Sequence, residues 1–503
     1  MTVDELLDRH GLGDAGRWLV DYLPGQRWFA GKGQHLASVC VDDAAELEQD
    51  RFTLLLAIVQ VRYTDGSSER YHVPLAIRAV ARAAIDTMPE HLIAEFTRNG
   101  RPVAVYDALF DRECAAVIWK AIAGSETHRT PLGEVRCQSD GIVVGAGDAA
   151  LIRPLGAEQS NTSLVRGAVD LLKCMRRIEL AQSPEIEMTQ ALTRAGFAHI
   201  AAPLGVMEYV REGSDHALLG VVQPYLRNGV DGRALALISI REIYEEAELE
   251  GIDDDPELRR RAAEEHGASF IPESERLGTM TGQLHLTLAA LREEHMVPVP
   301  VTEGLLDTWA NTMTGEFDRL LAMRDHRLDR LRDRRAVIVA GFHALRGIHV
   351  PCGLAIRIHG DYHLGQMMRT DDGWTIHDFE GEPARPVSER RVRSSPLRDV
   401  AGMMRSFDYA AFTALAERVS PRDPSWPVLF EAGDAWAQAN RTAFWRAYAG
   451  VTKGAGIVPM GDDAHIMCRA FELMKAVYEV GYEMDNRPDW VAAPLSFLLR
   501  ESS

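Results

Sequence analysis

The sequence predicts an α+β fold in which antiparallel strands come first and amphipathic helices follow. Residues 51–63 and 69–77 alternate apolar and polar side chains around an Asp-Gly turn, which predicts a hairpin in an antiparallel sheet with one solvent-exposed face. Apolar residues recur at three- and four-residue steps from Leu277 to Leu291, which predicts a helix with one buried face. His285 within that helix is expected to be a core or capping residue.

The amino-acid composition limits the classes of molecule that the protein is expected to bind. The 55 Lys and Arg against 74 Asp and Glu give a net charge of −19, which disfavours nucleic acids and anionic membranes. No stretch reaches the roughly 18 uninterrupted apolar residues of a membrane helix, and the amino terminus lacks a signal pattern. The 6 cysteines form neither a Cys-x-x-Cys pair nor a metal cluster, as is typical of reduced thiols. We therefore expect a cytoplasmic protein.

Three domains are expected from the order of these patterns. Residues 1–145 are predicted to form an N-terminal domain around the antiparallel sheet. Residues 146–225 are predicted to form a small lobe that ends in a hinge, and residues 226–503 a mainly helical lobe. Within the last lobe, the strongly charged residues 238–274 are expected to be a solvated helical insertion.

Two motifs carry the chemistry. Residues 358–366 read Ile-His-Gly-Asp-Tyr-His-Leu-Gly-Gln, and residues 377–380 read His-Asp-Phe-Glu. Phosphoryl transfer uses one Asp to accept the proton of the acceptor hydroxyl, an amide five residues later for magnesium, and a second Asp for the metal. Asp361, Gln366 and Asp378 match these roles. Either tripeptide alone is more often an ordinary turn or strand end, but together they indicate a kinase of small molecules.

The surroundings of the two motifs fit a catalytic hairpin. Residues 355–358 and 374–377 are predicted to be strands, with turn chemistry at 371–373 between them. A helix is expected to open at Pro396, which a first turn tolerates. Asp399 in that turn is expected to cap backbone N–H groups of the catalytic loop.

Residues 164–175 are predicted to form two strands around a Gly167 turn, with Lys173 in the second strand. A helix is predicted to follow at 185–195, and Glu187 is expected to pair with Lys173. Such an ion pair orients a lysine onto the α and β phosphates of ATP in kinase-like folds. A solvated lysine and a first-turn helix acid are the alternatives.

Two further segments are candidate nucleotide contacts. Residues 159–163 stand where kinases carry a glycine-rich phosphate loop but contain no glycine, so their polar side chains would have to assist the backbone. Residues 221–225 form an apolar strand that runs into a proline, as an adenine-binding hinge or an edge strand would. The predicted contacts are Ser160, Asn161, Thr162, Ser163, Gln223 and Tyr225.

Motifs spread along most of the chain resemble those of maltokinases, a family of aminoglycoside-phosphotransferase-like kinases that includes forms fused to trehalose synthase. Residues 26–32 (Gln-Arg-Trp-Phe-Ala-Gly-Lys) resemble the start of the maltokinase N-terminal cap domain. The other matching segments are 158–163, 359–366, 378–383, 394–402, 475–479 and 486–490. The resemblance implies a bilobal protein-kinase-like fold with an antiparallel-sheet cap domain.

The resemblance also implies an activity: transfer of the γ-phosphoryl group of ATP, with Mg²⁺, to the anomeric hydroxyl of maltose, giving maltose 1-phosphate for α-glucan synthesis. By matching positions, Asp361 would be the base, Gln366 and Asp378 the metal ligands, and Lys173 the phosphate contact with Glu187 as its partner. A functional or physical link to trehalose synthase is implied by the fused forms.

Two positions depart from the maltokinase pattern. Met474 replaces an acid, and Arg233 stands where a tryptophan is expected, so a different sugar is possible. Glucosamine kinases are the nearest alternative, followed by antibiotic-modifying phosphotransferases and a non-catalytic nucleotide-binding regulator. The candidate sugar contacts are His363, Glu380, Tyr478, Glu479 and Glu483.

Overall fold

The computed structural model describes residues 2–79, 90–145, 147–156, 161–213, 216–249, 270–382 and 385–500. The chain forms two compact units. Unit 1 comprises Met1–Gln190 and Ala201–Arg227, and unit 2 comprises Ala191–Ile200 and Asn228–Ser503. No helix among the described residues combines the length and the apolar character that a membrane crossing requires.

The described part of unit 1 contains two antiparallel sheets. The strands are β1 (Leu36–Glu48), β2 (Thr53–Tyr63), β3 (Ser68–Ala79), β4 (Leu92–Arg98), β5 (Arg101–Asp107), β6 (Thr127–Arg129), β7 (Gly133–Ser139), β8 (Ile152–Leu155), β9 (Asn161–Arg166), β10 (Asp170–Met175), β11 (Arg177–Ile178), β12 (Gly205–Arg211) and β13 (His216–Pro224). The helices are α1 (Val3–His10), α2 (Ala15–Tyr22), α3 (Arg112–Ala123) and α4 (Pro184–Arg194), which runs into unit 2.

The first sheet has the order β1-β2-β3-β5-β4, with β11 paired to β3, and the second has the order β6-β7-β12-β13-β10-β9-β8. The predicted hairpin is confirmed as β2 and β3. The expected solvent-exposed face is wrong, because Leu54 and Leu56 lie in one buried cluster while Leu55 and Ala57 lie in another. Apolar residues on both faces of β2 therefore pack against a core on each side.

The predicted boundary between residues 145 and 146 falls inside unit 1. Strands β6 and β7 precede this boundary, yet they belong to the sheet that contains β9 and β10. In the opposite sense, β11 follows the boundary and pairs with β3 of the first sheet. The predicted end of the second domain at residue 225 lies close to Arg227, where unit 1 ends.

Unit 2 is mainly helical. Its remaining helices are α5 (Gly232–Leu249), α6 (Ile271–Ala290), α7 (Glu303–Leu321), α8 (Asp329–Asp333), α9 (Arg335–His343), α10 (Val387–Arg390), α11 (Leu397–Arg418), α12 (Trp426–Thr452), α13 (Asp462–Asn486) and α14 (Ala492–Arg500). Its strands are β14 (Val230–Asp231), β15 (Val299–Pro300), β16 (Leu354–Ala355), β17 (Met367–Thr370) and β18 (Gly373–Ile376). The predicted helix at 277–291 is confirmed as α6, but much of the predicted insertion, at 250–269, lies outside the described residues.

The catalytic hairpin differs in one strand from the prediction. The turn at 371–373 is confirmed, but it joins β18 to β17 rather than to residues 355–358. Residues 354–355 pair instead with β15, and Ile356 forms a bridge with Ser394. The catalytic loop therefore runs between β16 and β17, with both metal-ligand candidates at the ends of the hairpin.

Candidate active site

The catalytic loop is held by a buried carboxylate in the first turn of α11. The backbone N–H groups of His359 and Gly360 donate to Asp399 at 2.8 and 2.9 Å, which confirms the predicted cap. His285 lies in the core, 3.4 Å from Asp399 and 3.0 Å from the Tyr448 hydroxyl. Burial raises the pKa of Asp399, but these hydrogen bonds and the nearby histidines outweigh it and leave the pKa below its ordinary value.

Asp361, the predicted base, lies in this loop with 14% of its side chain exposed. Lys475 Nζ donates to its Oδ1 at 3.0 Å, and His363 Nε2 lies 3.6 Å from its Oδ2. Burial raises the pKa of Asp361, yet the charge of Lys475 and the contact with His363 together lower the pKa well below its ordinary value. The Asp361 side chain is therefore ionised, which is the form that a general base requires.

Lys475 is the centre of a small charge cluster. Its Nζ also donates to Glu382 Oε2 at 3.3 Å and lies 5.1 Å from the centre of the Tyr478 ring. The Tyr478 hydroxyl donates to the other oxygen of Glu382. Burial lowers the pKa of Lys475, but Asp361 and Glu382 raise it above its ordinary value, so the ammonium stays charged.

The two predicted metal ligands contact each other. Gln366 ends a short 3-10 helix, and its Nε2 donates to Asp378 Oδ2 at 3.2 Å. Asp378 follows β18 with a φ of +67°, a left-handed conformation that costs energy for a side chain of this kind. A carboxylate oxygen of Glu380 lies within 4.8 Å of one of Asp378. Amide and carboxylate oxygens are the donors that Mg²⁺ prefers, so these residues fit a magnesium site.

A cavity of about 340 Å³ adjoins the base. It brings together four of the five predicted sugar contacts, and Glu380 is not among its lining residues. Its size lies at the lower end of the range for small-ligand sites. The lining residues are Arg233, Asp361, His363, Leu364, Gly365, Glu382, Gly402, Ser406, Tyr409, Lys475, Tyr478, Glu479, Tyr482, Glu483 and Arg487.

Two acids of α13 differ in how well they are paired. Glu479 accepts from the buried Arg405 at 2.7 Å. Glu483 accepts from the Tyr409 hydroxyl and, at 2.7 Å, from Arg487, both through Oε1. Its Oε2 is buried and has no hydrogen-bond partner among the described residues. This orphan oxygen belongs to a residue that lines the cavity, and a ligand donor would satisfy it.

Unit 1 holds the predicted phosphate-contacting lysine. Lys173 lies in β10 as predicted, and its Nζ donates to Glu185 Oε2 at 3.2 Å. The sequence prediction named Glu187 for this ion pair, so the observed partner is a correction. Residues two apart on a helix differ in direction by about 200°, so Glu185 and Glu187 lie on different sides of α4. Glu185 is the buried one, with 2% of its surface exposed.

The predicted phosphate loop is described only in part, because Ser160 lies outside the described residues. Asn161 begins β9, and Thr162 and Ser163 are buried. The Thr162 hydroxyl accepts from Arg176 Nε at 2.8 Å and keeps its own proton for donation. The role of Thr162 in nucleotide binding stays a prediction. Ser163 lies directly opposite Lys173 in the β9–β10 register, so the two side chains share one face of the sheet.

The predicted hinge strand is β13, which lies between β12 and β10. The edge-strand alternative is therefore wrong. The backbone N–H of Tyr225 donates to Val169 O at 3.0 Å, which removes it as a donor to adenine. Gln223 Nε2 donates to Ala201 O at 3.4 Å. The roles of Gln223 and Tyr225 in nucleotide binding stay predictions.

Three residues that contact predicted site residues were not themselves predicted as site residues: Lys475, Glu382 and Arg405. Lys475 lies among apolar residues of a helix, where a lysine is unusual unless it has an acidic partner. This pattern was the sequence signal that could have identified Lys475. Glu382 follows the second motif by only two residues. Arg405 gave no signal, since its burial depends on packing between α11, α13 and α14.

Comparison with known proteins agrees with this architecture. Residues 22–111 match the model of the maltokinase N-terminal cap domain. A glucosamine kinase from Streptacidiphilus jiangxiensis is 27% identical over 450 residues, covering 87% of this chain and 86% of that protein. A glucosamine kinase from Mycolicibacterium smegmatis is 26% identical over 354 residues, covering 68% of this chain and 77% of that protein.

Solved structures share the fold. A glucosamine kinase in complex with glucosamine, ADP and inorganic phosphate aligns with a TM-score of 0.61 at 21% identity, covering 92% of this chain and 93% of that chain. Glucosamine kinase in crystal form B aligns with a TM-score of 0.64 at 22% identity, covering 95% and 98%. The predicted α+β, kinase-like fold is confirmed, and the match of residues 22–111 to the cap-domain model supports the predicted resemblance to a maltokinase-like family.

Proposed function

We propose that this chain is an ATP-dependent sugar kinase that phosphorylates a hydroxyl of an amino sugar, with glucosamine as the leading candidate. The observation that carries the proposal is the cavity beside Asp361, whose lining includes Glu483, a residue with a buried Oε2 that has no hydrogen-bond partner among the described residues. Both relatives named above are glucosamine kinases, which supports the same choice.

The reaction follows from the position of the base. The acceptor hydroxyl oxygen attacks the γ-phosphorus of ATP, the bond from that phosphorus to the bridging oxygen breaks, and ADP leaves. Asp361 takes the proton of the hydroxyl. Because Lys475 occupies Oδ1, Oδ2 beside His363 is the oxygen left for the acceptor. A weakly basic carboxylate suffices because the transition state is loose and its catalysis rests mainly on positioning and charge.

The remaining residues would hold the phosphates and the metal. The side-chain oxygen of Gln366 and the carboxylates of Asp378 and Glu380 would be the magnesium ligands. When bound, Mg²⁺ neutralises charge on the phosphates of ATP. Lys173, fixed by Glu185, would supply the cation that kinases direct to the α and β phosphates.

The amino group would be recognised by Glu483. A buried acceptor without a partner costs about 1–3 kcal/mol, and a bound ammonium removes that cost through a charge-assisted hydrogen bond. A sugar with a neutral substituent at the same position would leave the carboxylate less well satisfied. A hydroxyl at the same position can also donate to the carboxylate, but it lacks the positive charge that strengthens the hydrogen bond of an ammonium. This argument favours glucosamine over glucose.

Maltose is the second candidate, supported by the match to the maltokinase cap domain. The rings of Tyr478 and Tyr482 stack with centres 6.2 Å apart, and both residues line the cavity. Aromatic rings of this kind hold the apolar face of a sugar. Under this alternative the product would be maltose 1-phosphate for glycogen synthesis, and trehalose synthase would be the supplier of maltose.

The test is ADP release by the purified protein with Mg-ATP and a panel of acceptors, with products identified by NMR. The panel comprises glucosamine, N-acetylglucosamine, glucose, maltose and an aminoglycoside. Turnover of glucosamine with little turnover of the neutral N-acetyl sugar supports the proposal, and maltose 1-phosphate would replace it with the second candidate. ATP binding without turnover of any acceptor would favour a regulatory nucleotide-binding protein. The inactive variant Asp361→Asn controls for contaminating kinases.

A further inference from the structure

The strand that carries the phosphate-contacting lysine passes directly from one sheet of unit 1 to the other. Strand β10 ends at Met175, Arg176 follows, and β11 then pairs with Tyr71 and Arg70 of β3. A single residue therefore separates the sheet that contains Lys173 from the sheet of the cap region. The position of this residue determines how the two sheets of unit 1 are joined.

Arg176 is fully buried and makes several contacts. Its Nη2 donates to Asp107 Oδ2 at 2.6 Å, and both side chains have 0% exposure. Its guanidinium lies 4.7 Å from the centre of the Trp28 ring, a cation–π contact. Its backbone oxygen accepts from the N–H of His72 at 2.7 Å. Trp28, His72 and Asp107 all belong to the region that matches the cap-domain model.

The same arginine reaches the predicted phosphate loop. Its Nε donates to the Thr162 hydroxyl at 2.8 Å, and Thr162 is the second residue of β9. Thr162 pairs with Cys174 in the β9–β10 register, next to the pair of Ser163 with Lys173. Arg176 therefore links the cap region to β9 and β10, the strands that carry Ser163 and Lys173.

We propose that Arg176 is a positioning residue for ATP: its buried pair with Asp107 and its place on Trp28 fix the start of β9 and the end of β10, and with them Ser163 and Lys173. The inference rests on the proposed function. It also gives a role to the Gln-Arg-Trp-Phe motif of the cap, since Trp28 forms the surface on which the guanidinium lies. The cap region then acts on nucleotide affinity rather than on sugar choice.

The test measures the affinity for Mg-ATP by calorimetry, without an acceptor, in Thr162→Val, Arg176→Lys and the double variant. Each single variant should weaken ATP binding about two- to tenfold, the factor given by one ordinary hydrogen bond. If Thr162 acts through Arg176, the double variant should be no weaker than the weaker single variant. Additive losses would mean that Thr162 contacts the phosphates directly, and would overturn the proposal.

Tyr209→Phe is the matched control. The Tyr209 hydroxyl donates to Asp43 at 2.8 Å, so it also links the two sheets of unit 1 through a buried hydrogen bond, but its strand, β12, pairs with β7 and β13 rather than with β9 or β10. We expect a loss of melting temperature comparable with that of Thr162→Val, and unchanged ATP affinity. An equal loss of ATP affinity in the control would reduce Arg176 to a structural role. Failure of the unaltered protein to bind ATP would instead overturn the proposed function.

Discussion

Lys475 Nζ lies 3.0 Å from Asp361 Oδ1, although the two residues are 114 positions apart in the chain. The ammonium also contacts Glu382, so one cation serves the base and a second carboxylate of the cavity. Asp361, the proposed base, therefore lies beside a positive charge that favours its ionised form. This arrangement sets the electrostatics of the site and leads to the first prediction.

Replacing Lys475 by Met should change the pH dependence of catalysis. Burial raises the pKa of Asp361 while Lys475 lowers it, so without the ammonium the pKa should rise. The acid limb of the kcat/KM profile should then move to higher pH, because the protonated acid cannot accept the hydroxyl proton. The exposed Lys453→Met serves as the control and should leave the profile in place. An acid limb that does not move in Lys475→Met would contradict this account of the base.

Asp361→Asn should abolish most turnover while ATP still binds. A positioned general base contributes about 10²- to 10⁴-fold to the rate. We expect kcat to fall by at least that factor, since the amide cannot take the proton. ATP affinity measured without sugar should change little, because the assigned phosphate contact is Lys173. Retention of normal turnover would remove Asp361 from the role of base.

Glu483→Gln should separate amino sugars from neutral ones. A hydrogen bond to a charged group contributes about 1.5–3 kcal/mol, so the KM for glucosamine should rise roughly tenfold or more. The KM for glucose should change much less, because no ammonium is lost. Asp485→Asn changes an exposed acid of the same helix and should have little effect. An equal change of KM for both sugars in Glu483→Gln would show that this carboxylate does not recognise the amino group.

Asp378→Asn should raise the magnesium concentration needed for half-maximal activity and lower kcat at saturation. The amide keeps one oxygen that can bind the metal and lies in the same place beside Gln366. It loses the negative charge that attracts the ion. Titration of activity against Mg²⁺ at fixed ATP measures the shift. Asp372→Asn, in the exposed turn of the same hairpin, should match the unaltered protein. An identical magnesium requirement in Asp378→Asn would exclude Asp378 as a ligand.

His72 should make unit 1 less stable in acid. Burial, with a further contribution from Arg176, lowers the pKa of His72 from 6.5 to about 3. Between these values the unfolded chain binds one more proton than the folded chain, so the free energy of unfolding falls as pH decreases, by up to about 1.4 kcal/mol per pH unit from this residue. The loss begins near pH 6.5 and ends near pH 3.

Denaturant unfolding of His72→Gln across this pH range measures the effect. The variant should be less stable at neutral pH but should show a shallower decrease toward acid. His326→Gln replaces a histidine whose side chain is 91% exposed, and should keep the slope of the unaltered protein. A slope that does not change in His72→Gln would show that other groups account for the acid sensitivity.

Local patterns were enough for the elements and for the catalytic spacing. The β2–β3 hairpin, the strand of Lys173 and the turn before β18 follow from alternation and turn chemistry over a few residues. Asp361, Gln366 and Asp378 could be assigned because one loop and one hairpin carry them. The hydrogen bonds from the catalytic-loop backbone to Asp399 were also predictable, because Pro396 marks the start of the helix that carries Asp399.

Pairings between distant segments were not predictable. Glu185 and Glu187 occupy the same helix turn, and only the packing of α4 against the sheet decides which one meets Lys173. Likewise, the hydrogen bond of the Thr162 hydroxyl depends on Arg176, which lies between β10 and β11.

The sequence by itself determined the α+β class, the kinase-like motifs and the order of catalytic residues, because these depend on neighbours within a few positions. Only the tertiary structure decided that Lys475 pairs with Asp361, the proposed base. It also decided that Glu483 has a buried oxygen without a hydrogen-bond partner among the described residues, and that Arg176 joins the two sheets of unit 1. The reason is that burial and charge pairing act through space. Their partners are brought together by helix and sheet packing, which the spacing of residues along the chain does not specify.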